Sequence, residues 1–230
     1  MKFDNSKILF SRNDVSRNII FPKCSSEELA EFIGILTGDG YMNYYPYQEK
    51  YLIEIAGNSI LDKDYLTTDV NEMVNSLFNI NPAVRFLKGQ NTMNLRIISK
   101  GIFNFLMQCG FKNGRKGQIG IPLWIQENEK YMDAFTRGLA DTDFSFHWRK
   151  NYPIINAGLK SNTLIYLVSS HLLRQGFSVA GPYKEIVKDK RGYNDSIIYR
   201  IALNGHKNLE NWINNIGFRN DRHLRKISGA

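Results

Sequence analysis

Two stretches of this chain set small residues at helical spacing and then end in an acid, and that pattern limits the fold more than any other feature. The first runs from Leu29 to Gly40 and the second from Met132 to Phe144, offset by 143 − 39 = 104 residues. At that offset Ala30 meets Ala134, Gly34 meets Gly138, Gly38 meets Thr142 and Asp39 meets Asp143. Positions i, i+4 and i+8 share one helical face, and side chains this small let two helix backbones approach closely. An acid at a helix C-terminus faces the negative end of the macrodipole, at a cost of roughly 0.3 to 1 kcal/mol where exposed. Either acid alone reads as a surface residue near a helix end. Matched twice, they point to two helices packed side by side, with both carboxylates at one end of the seam and able to share a divalent metal.

Ile121-Pro122-Leu123-Trp124-Ile125 precedes Ala134-Phe135-Thr136-Arg137-Gly138-Leu139. With both acidic segments, this arrangement resembles the LAGLIDADG homing endonucleases in their single-chain, two-repeat form, over nearly the whole chain. The resemblance implies an α+β fold of two pseudo-symmetric αββαββα repeats, with the motif helices packed at the interface and saddle-shaped antiparallel sheets. It also implies a monomer acting as a pseudo-dimer on double-stranded DNA, with Mg²⁺ or Mn²⁺ as cofactor and staggered breaks with 3′ overhangs at a long site. Asp39 and Asp143 take the place of the family's metal-binding catalytic acids, with Gly38 and Thr142 beside them in the metal site. Lys160, after Ile154 to Leu159, and Lys116, after the third helix, stand where the family often places basic residues. Asn58 replaces the first of these in copy one. His223 is the counterpart of Lys116, and Arg115 and Arg222 compete for that role. The chain departs from the pattern at Thr37, in place of the usual first acid, and at Phe144, in place of the usual glycine. Asp141, matched to Thr37, is expected to cap or orient rather than to bind metal.

Composition agrees with an anionic partner. The 230 residues are 43% apolar, enough for a substantial core, and 30 Lys plus Arg against 22 Asp plus Glu leave a formal charge of +8. Such a balance favours a polyanion, with nucleic acid first and an anionic membrane surface second. Cys24 and Cys109 are the only cysteines, so there is neither a disulfide framework nor a cysteine metal cluster. A reducing, intracellular setting is expected, in a prokaryotic cytoplasm or an organelle. Met1 to Phe21 has no signal-peptide core, and no stretch approaches the roughly 20 apolar residues of a membrane helix. His147, His171, His206 and His223 have no compact metal spacing, and neither a Gly-rich phosphate loop nor a serine nucleophile elbow occurs.

In chain order, residues 1–24 read as an N-terminal extension, 25–116 as the first repeat, 117–128 as a linker and 129–230 as the second repeat. Ser25 with Glu28 predicts a capping box, Leu29, Phe32, Ile33 and Leu36 a helix over Glu27 to Asp39, and Gly40 its stop. Tyr41 to Gln48 and Tyr51 to Ala56 predict a hairpin, Asp62 to Phe78 a helix, Ala83 to Leu87 and Met93 to Ile98 a second hairpin, and Ile102 onward a third helix. The second half repeats this order, with helices over Thr163 to Gln175 and Leu209 to Ile216 and strands over Val179 to Val187 and Ser196 to Leu203. A second anchor supports the duplication: Cys109 to Lys116 matches Ile216 to His223 at an offset of 218 − 111 = 107.

The predicted hairpins carry the candidate DNA contacts: Tyr44, Tyr47, Gln48, Lys50, Arg85, Lys88, Gln90, Asn94 and Arg96 in the first half, and His147, Arg149, Lys150, Tyr183, Lys184, Lys188, Lys190, Arg191 and Arg200 in the second. A twisted sheet enters a major groove about 12 Å wide, where Arg, Lys, Gln and Asn read base edges. Any one of these residues reads equally well as the solvent face of a sheet; two basic faces together favour DNA. Lys188 to Arg191 suit phosphates, which carry no sequence information. The reading is therefore a metal-dependent, site-specific DNA endonuclease. The chain's free-standing length and the absence of a splicing-type cysteine context point to an intron or other mobile element rather than an intein. Two alternatives stay open: a protein of the same fold that binds nucleic acid without cleaving it, as an RNA maturase or transcription regulator would, and a non-specific basic module.

Overall fold

The computed structural model describes residues 1–111, 119–188 and 195–229. A short helical turn (Asn5–Lys7) and α1 (Arg12–Ser16) lead into α2 (Glu27–Asp39), the first motif helix. The predicted bounds of α2 hold, but its cap differs. Ser26, one residue later than predicted, accepts the Leu29 N–H at 3.1 Å. Ser25 instead receives the N-terminal amine at 2.7 Å, and Glu28 accepts from Ser76, so no capping box forms. Gly40 has extended backbone rather than the left-handed conformation of a glycine cap. Its glycine is needed because a Cβ there would stand 2.3 Å from the Leu36 carbonyl oxygen as the chain turns into the sheet.

β1 (Gly40–Tyr45) and β2 (Lys50–Asn58) form the first hairpin. A helix in three parts follows: α3 (Lys63–Tyr65), a π turn over Leu66–Val70, and α4 (Asn71–Phe78). β3 (Ala83–Phe86), β4 (Thr92–Ile98) and α5 (Lys100–Gln108) complete the half. α6 (Leu123–Gln126) then buries Trp124 and Ile125, with the Trp124 indole N–H on the Cys109 carbonyl at 2.8 Å. The second half runs α7 (Glu129–Asp143), β5 (Phe144–Arg149), β6 (Tyr152–Leu159), α8 (Asn162–Arg174), β7 (Val179–Val187), β8 (Ser196–Asn204) and α9 (His206–Asn215). α10 (Asp221–Ser228) was not anticipated: it is short and mostly polar, and buries only His223, so hydrophobic periodicity gave no sign of it.

Each half holds one four-stranded antiparallel sheet, ordered β1-β2-β4-β3 and β5-β6-β8-β7. This is the expected α+β architecture of two like-ordered halves. Strand alternation decides what each sheet buries. Met42, Ile53, Ile55, Met93, Leu95 and Ile97 face the helices in the first sheet, and Phe144, Phe146, Ile155, Ala157, Ile201 and Leu203 do so in the second. One continuous core spans both halves. Among the described residues no helix is long and apolar enough to cross a membrane.

Candidate active site and nucleic-acid interface

α2 and α7 touch along their backbones because glycine stands at each crossing point. A Cβ on Gly34 would lie 2.2 Å from the Phe135 carbonyl oxygen, and one on Gly138 would lie 2.2 Å from that of Glu31. Further along, a Cβ on Gly38 would lie 1.9 Å from the Thr142 hydroxyl oxygen and 3.4 Å from a carboxylate oxygen of Asp143. Contacts advance in the same direction on both helices, so the helices are parallel. Asp39 and Asp143, the last residue of each, therefore reach the same end of the seam.

The seam is tied by buried charge. Glu31, on α2, takes Arg137 of α7 at 2.9 Å and Arg219 at 2.6 Å. Asp141 is fully buried and accepts the backbone N–H groups of Arg219 and Asn220 at 3.0 Å each. Burial pushes its carboxyl up to about 7, and those N–H groups oppose the shift. Thr37, at the matching place on α2, turns its hydroxyl onto the Ile33 carbonyl at 2.7 Å. Phe144 points into the core, its ring centroid 5.8 Å from that of Trp212.

Asn58 and Lys160 occupy equivalent places in the two halves. Gly40 pairs with Ile55 and Phe144 with Ala157; Asn58 lies 58 − 55 = 3 residues and Lys160 lies 160 − 157 = 3 residues past those partners. Lys160 is exposed. The side-chain oxygen of Asn58 is engaged by the N–H groups of Ile60 and Leu61 at 2.9 and 3.0 Å, and holds a turn. Lys116, with its neighbour Arg115, lies outside the described residues, as do Lys190 and Arg191. His223 is buried and stacked on Phe218, with centroids 4.4 Å apart.

Among the described residues no group of three or more His, Cys, Asp or Glu comes together to hold a metal. On α7 the Asp141 and Thr142 carbonyls accept from Arg222, so the oxygen donors at this end of the seam are the two terminal carboxylates and the Gly38 carbonyl. They fit a hard, oxygen-seeking ion such as Mg²⁺ or Mn²⁺ that completes its shell with phosphate oxygens and water.

The open faces of the sheets, turned away from the helices, collect eight of the predicted contacts. Register places Lys50, Asn94, Arg96 and Arg85 together on the first, and His147, Arg149, Arg200 and Tyr183 on the second. Tyr47, Gln48, Lys88, Gln90 and Lys150 sit in the turns, and Lys188 follows β7, all exposed. Tyr44 is on the other side: its ring stacks on Tyr51 at 4.4 Å, and Tyr51 packs on Phe103. Lys184, paired with Tyr199, also has the helix-side parity. Tyr41, Asn43 and Tyr45 also share the open face, beyond the contacts expected from sequence, and the alternation set by Met42 marks them. Arg96 forms an ion pair with Glu54 at 2.5 Å, and Arg200 forms one with Glu185.

No family model matches the chain. A sequence relative, the replication factor C small subunit of Methanocaldococcus jannaschii, is 25% identical over 92% of this chain and 10% of its own length. Another, from the A-type ATP synthase of Pyrococcus abyssi, is 27% identical over 84% of this chain and 17% of its own. The chain thus spans a small fraction of the curated relatives it matches. Among solved structures, mesophilic variants of the homing endonuclease I-DmoI superpose with a TM-score of 0.55 at 18% identity, covering 83% of this chain and 94% of that one. I-DmoI in complex with DNA and Mn gives 0.52 at 18%, covering 83% and 96%. The LAGLIDADG homing endonuclease I-LtrWI bound to target DNA gives 0.51 at 10%, covering 87% and 88%. Over most of its length this chain has the two-repeat LAGLIDADG fold.

Proposed function

We propose that the chain is a monomeric, site-specific endonuclease that makes staggered breaks in a long double-stranded DNA site, with Mg²⁺ or Mn²⁺ as cofactor. The observation that carries this reading is the glycine-backed contact of α2 and α7, which delivers Asp39 and Asp143 to one end of a seam between two sheets rich in basic residues. Asp39 and Asp143, with the Gly38 carbonyl, would hold the metal; the Thr142 carbonyl, expected beside them, accepts from the Arg222 guanidinium at 2.6 Å instead. The bound ion supplies charge neutralisation at the scissile phosphate and a more acidic water.

The chain's own groups do the remaining work. Lys160, exposed three residues past the strand partner of Phe144, stabilises charge on the phosphate, and Lys116 assists from the first repeat. Asn58 contributes through its amide nitrogen, because its oxygen is committed to the turn. The open sheet faces set the register of the duplex, and the exposed turn residues contact its phosphates. Homing endonucleases of the same fold solved on DNA, one with Mn, support this assignment.

Selection of cleaved duplexes from a randomised library with Mg²⁺ tests it. The expected result is one long preferred site, cut on both strands and left uncut when the metal is chelated. Tight, sequence-selective binding with no cut in Mg²⁺ or Mn²⁺ would instead favour a nucleic-acid-binding protein that has lost cleavage.

A further inference from the structure

α7 ends beside a guanidinium from the far end of the chain. Arg222, on α10, donates from Nη2 to the carbonyls of Asp141 and Thr142 at 2.8 and 2.6 Å. Its Nη1 lies 3.1 Å from the Asp62 carboxylate, across the seam in the first half, and its Nε donates to His223 Nε2 at 3.1 Å. Each nitrogen of the fork thus has a partner. Asp62 carries the connection onward: its carboxylate accepts the backbone N–H of Asn58 at 2.8 Å and the side-chain amide of Asn220 at 2.8 Å.

We infer that Arg222 is a positioning residue: it fixes the end of the second motif helix and locks it to the Asn58 turn of the other repeat. This deepens the proposed function and rests on it insofar as Asp143 and Asn58 serve cleavage. The physical argument is independent of that reading. Carbonyls in the last turn of a helix have no partner within the helix, and here they belong to a buried or half-buried segment. A cation at this place also offsets the negative end of the helix macrodipole, which the terminal acid makes worse. Only a planar fork can hold two carbonyls with one nitrogen and a carboxylate with another, so lysine is a poor substitute. The repeat of Phe111–Lys116 at Phe218–His223 sets Arg115 opposite Arg222; the inference concerns the second half, where the contacts are described.

Backbone hydrogen exchange on the full chain without DNA tests the clamp. Arg222→Lys keeps the charge and removes the fork. It should speed exchange roughly tenfold or more at the Phe144 amide, bonded to the Ala140 carbonyl, and at the Ile60 and Leu61 amides in the other repeat. Asp62→Asn should do the same at Phe144 from the opposite side. Acceleration confined to α10, or to one repeat, would overturn the clamp.

On a duplex that the wild type cuts, Arg222→Lys should slow single-turnover cleavage about tenfold or more, with binding in Ca²⁺ changed less than about threefold. An unchanged cleavage rate would overturn the positioning role. A wild type that cuts no duplex would remove the proposed function, and the exchange data would still decide the clamp.

Discussion

At Gly34 two physical effects predict opposite signs for one substitution. Helix propensity alone would make Gly34→Ala stabilising by about 1 kcal/mol. The added Cβ, however, would stand 2.2 Å from a carbonyl oxygen of the partner helix, and forcing backbones apart in a packed interface costs about 1–3 kcal/mol. Urea denaturation should therefore show Gly34→Ala destabilised, and a more stable variant would contradict the close contact. His223 supplies a second test. Burial and, after it, the neighbouring Arg222 hold its imidazole down at about 3, far below its ordinary value. The unfolded chain takes up a proton below pH 6.5 that the folded chain refuses until about 3, so stability present above 6.5 is lost as pH falls through that window. Between pH 7 and pH 5 the raised Asp141 carboxyl acts in the opposite direction in both proteins, so the test is the difference: over that range the wild type should lose more melting temperature, or gain less, than His223→Gln.

Among the elements, the motif helices were legible because three independent signals coincide in each: small residues every four positions, an apolar stripe and a terminal acid. The strands were legible as hairpins, but their faces were less so. Tyr44 looks like a groove-reading aromatic until the register with Tyr51 puts it on the helix side, and a one-residue shift in parity is hard to read from a run as aromatic as Tyr41 to Tyr47. α10 escaped because its burial is concentrated in one histidine, and its Arg222 contacts a residue 160 positions away, a separation beyond any local pattern. Ion pairs within a sheet are equally silent in sequence. Glu54 and Glu185 each hold the arginine that sequence alone offered as a base reader. Releasing Arg96 by Glu54→Gln should strengthen DNA binding and steepen the dependence of log K on log salt by roughly 0.9. An unchanged slope would mean that Arg96 stays away from the duplex.

At the scale of the whole molecule, the proposed site is made from two halves, which explains why a single motif says so little. Neither acid has any special standing on its own helix. Parallel packing gives the pair its meaning, and that packing depends on Gly34, Gly38 and Gly138 together with the Glu31, Arg137 and Arg219 ties across the seam. The sheets then stand as two basic-lined faces of a single body, in keeping with a chain of net charge +8 and with the proposed reading of a monomer on a DNA duplex. On the proposed reading, the preferred base sequence depends on how those faces fit a deformed duplex, which no set of contact residues determines. The most direct measurement is single-turnover cleavage of a selected duplex in Mg²⁺ by the wild type, Asp39→Asn and Asp143→Asn, with binding followed in Ca²⁺. Each substitution should lower the cleavage rate at least roughly a hundredfold and leave binding nearly intact. Cleavage at the wild-type rate by either variant would contradict the account.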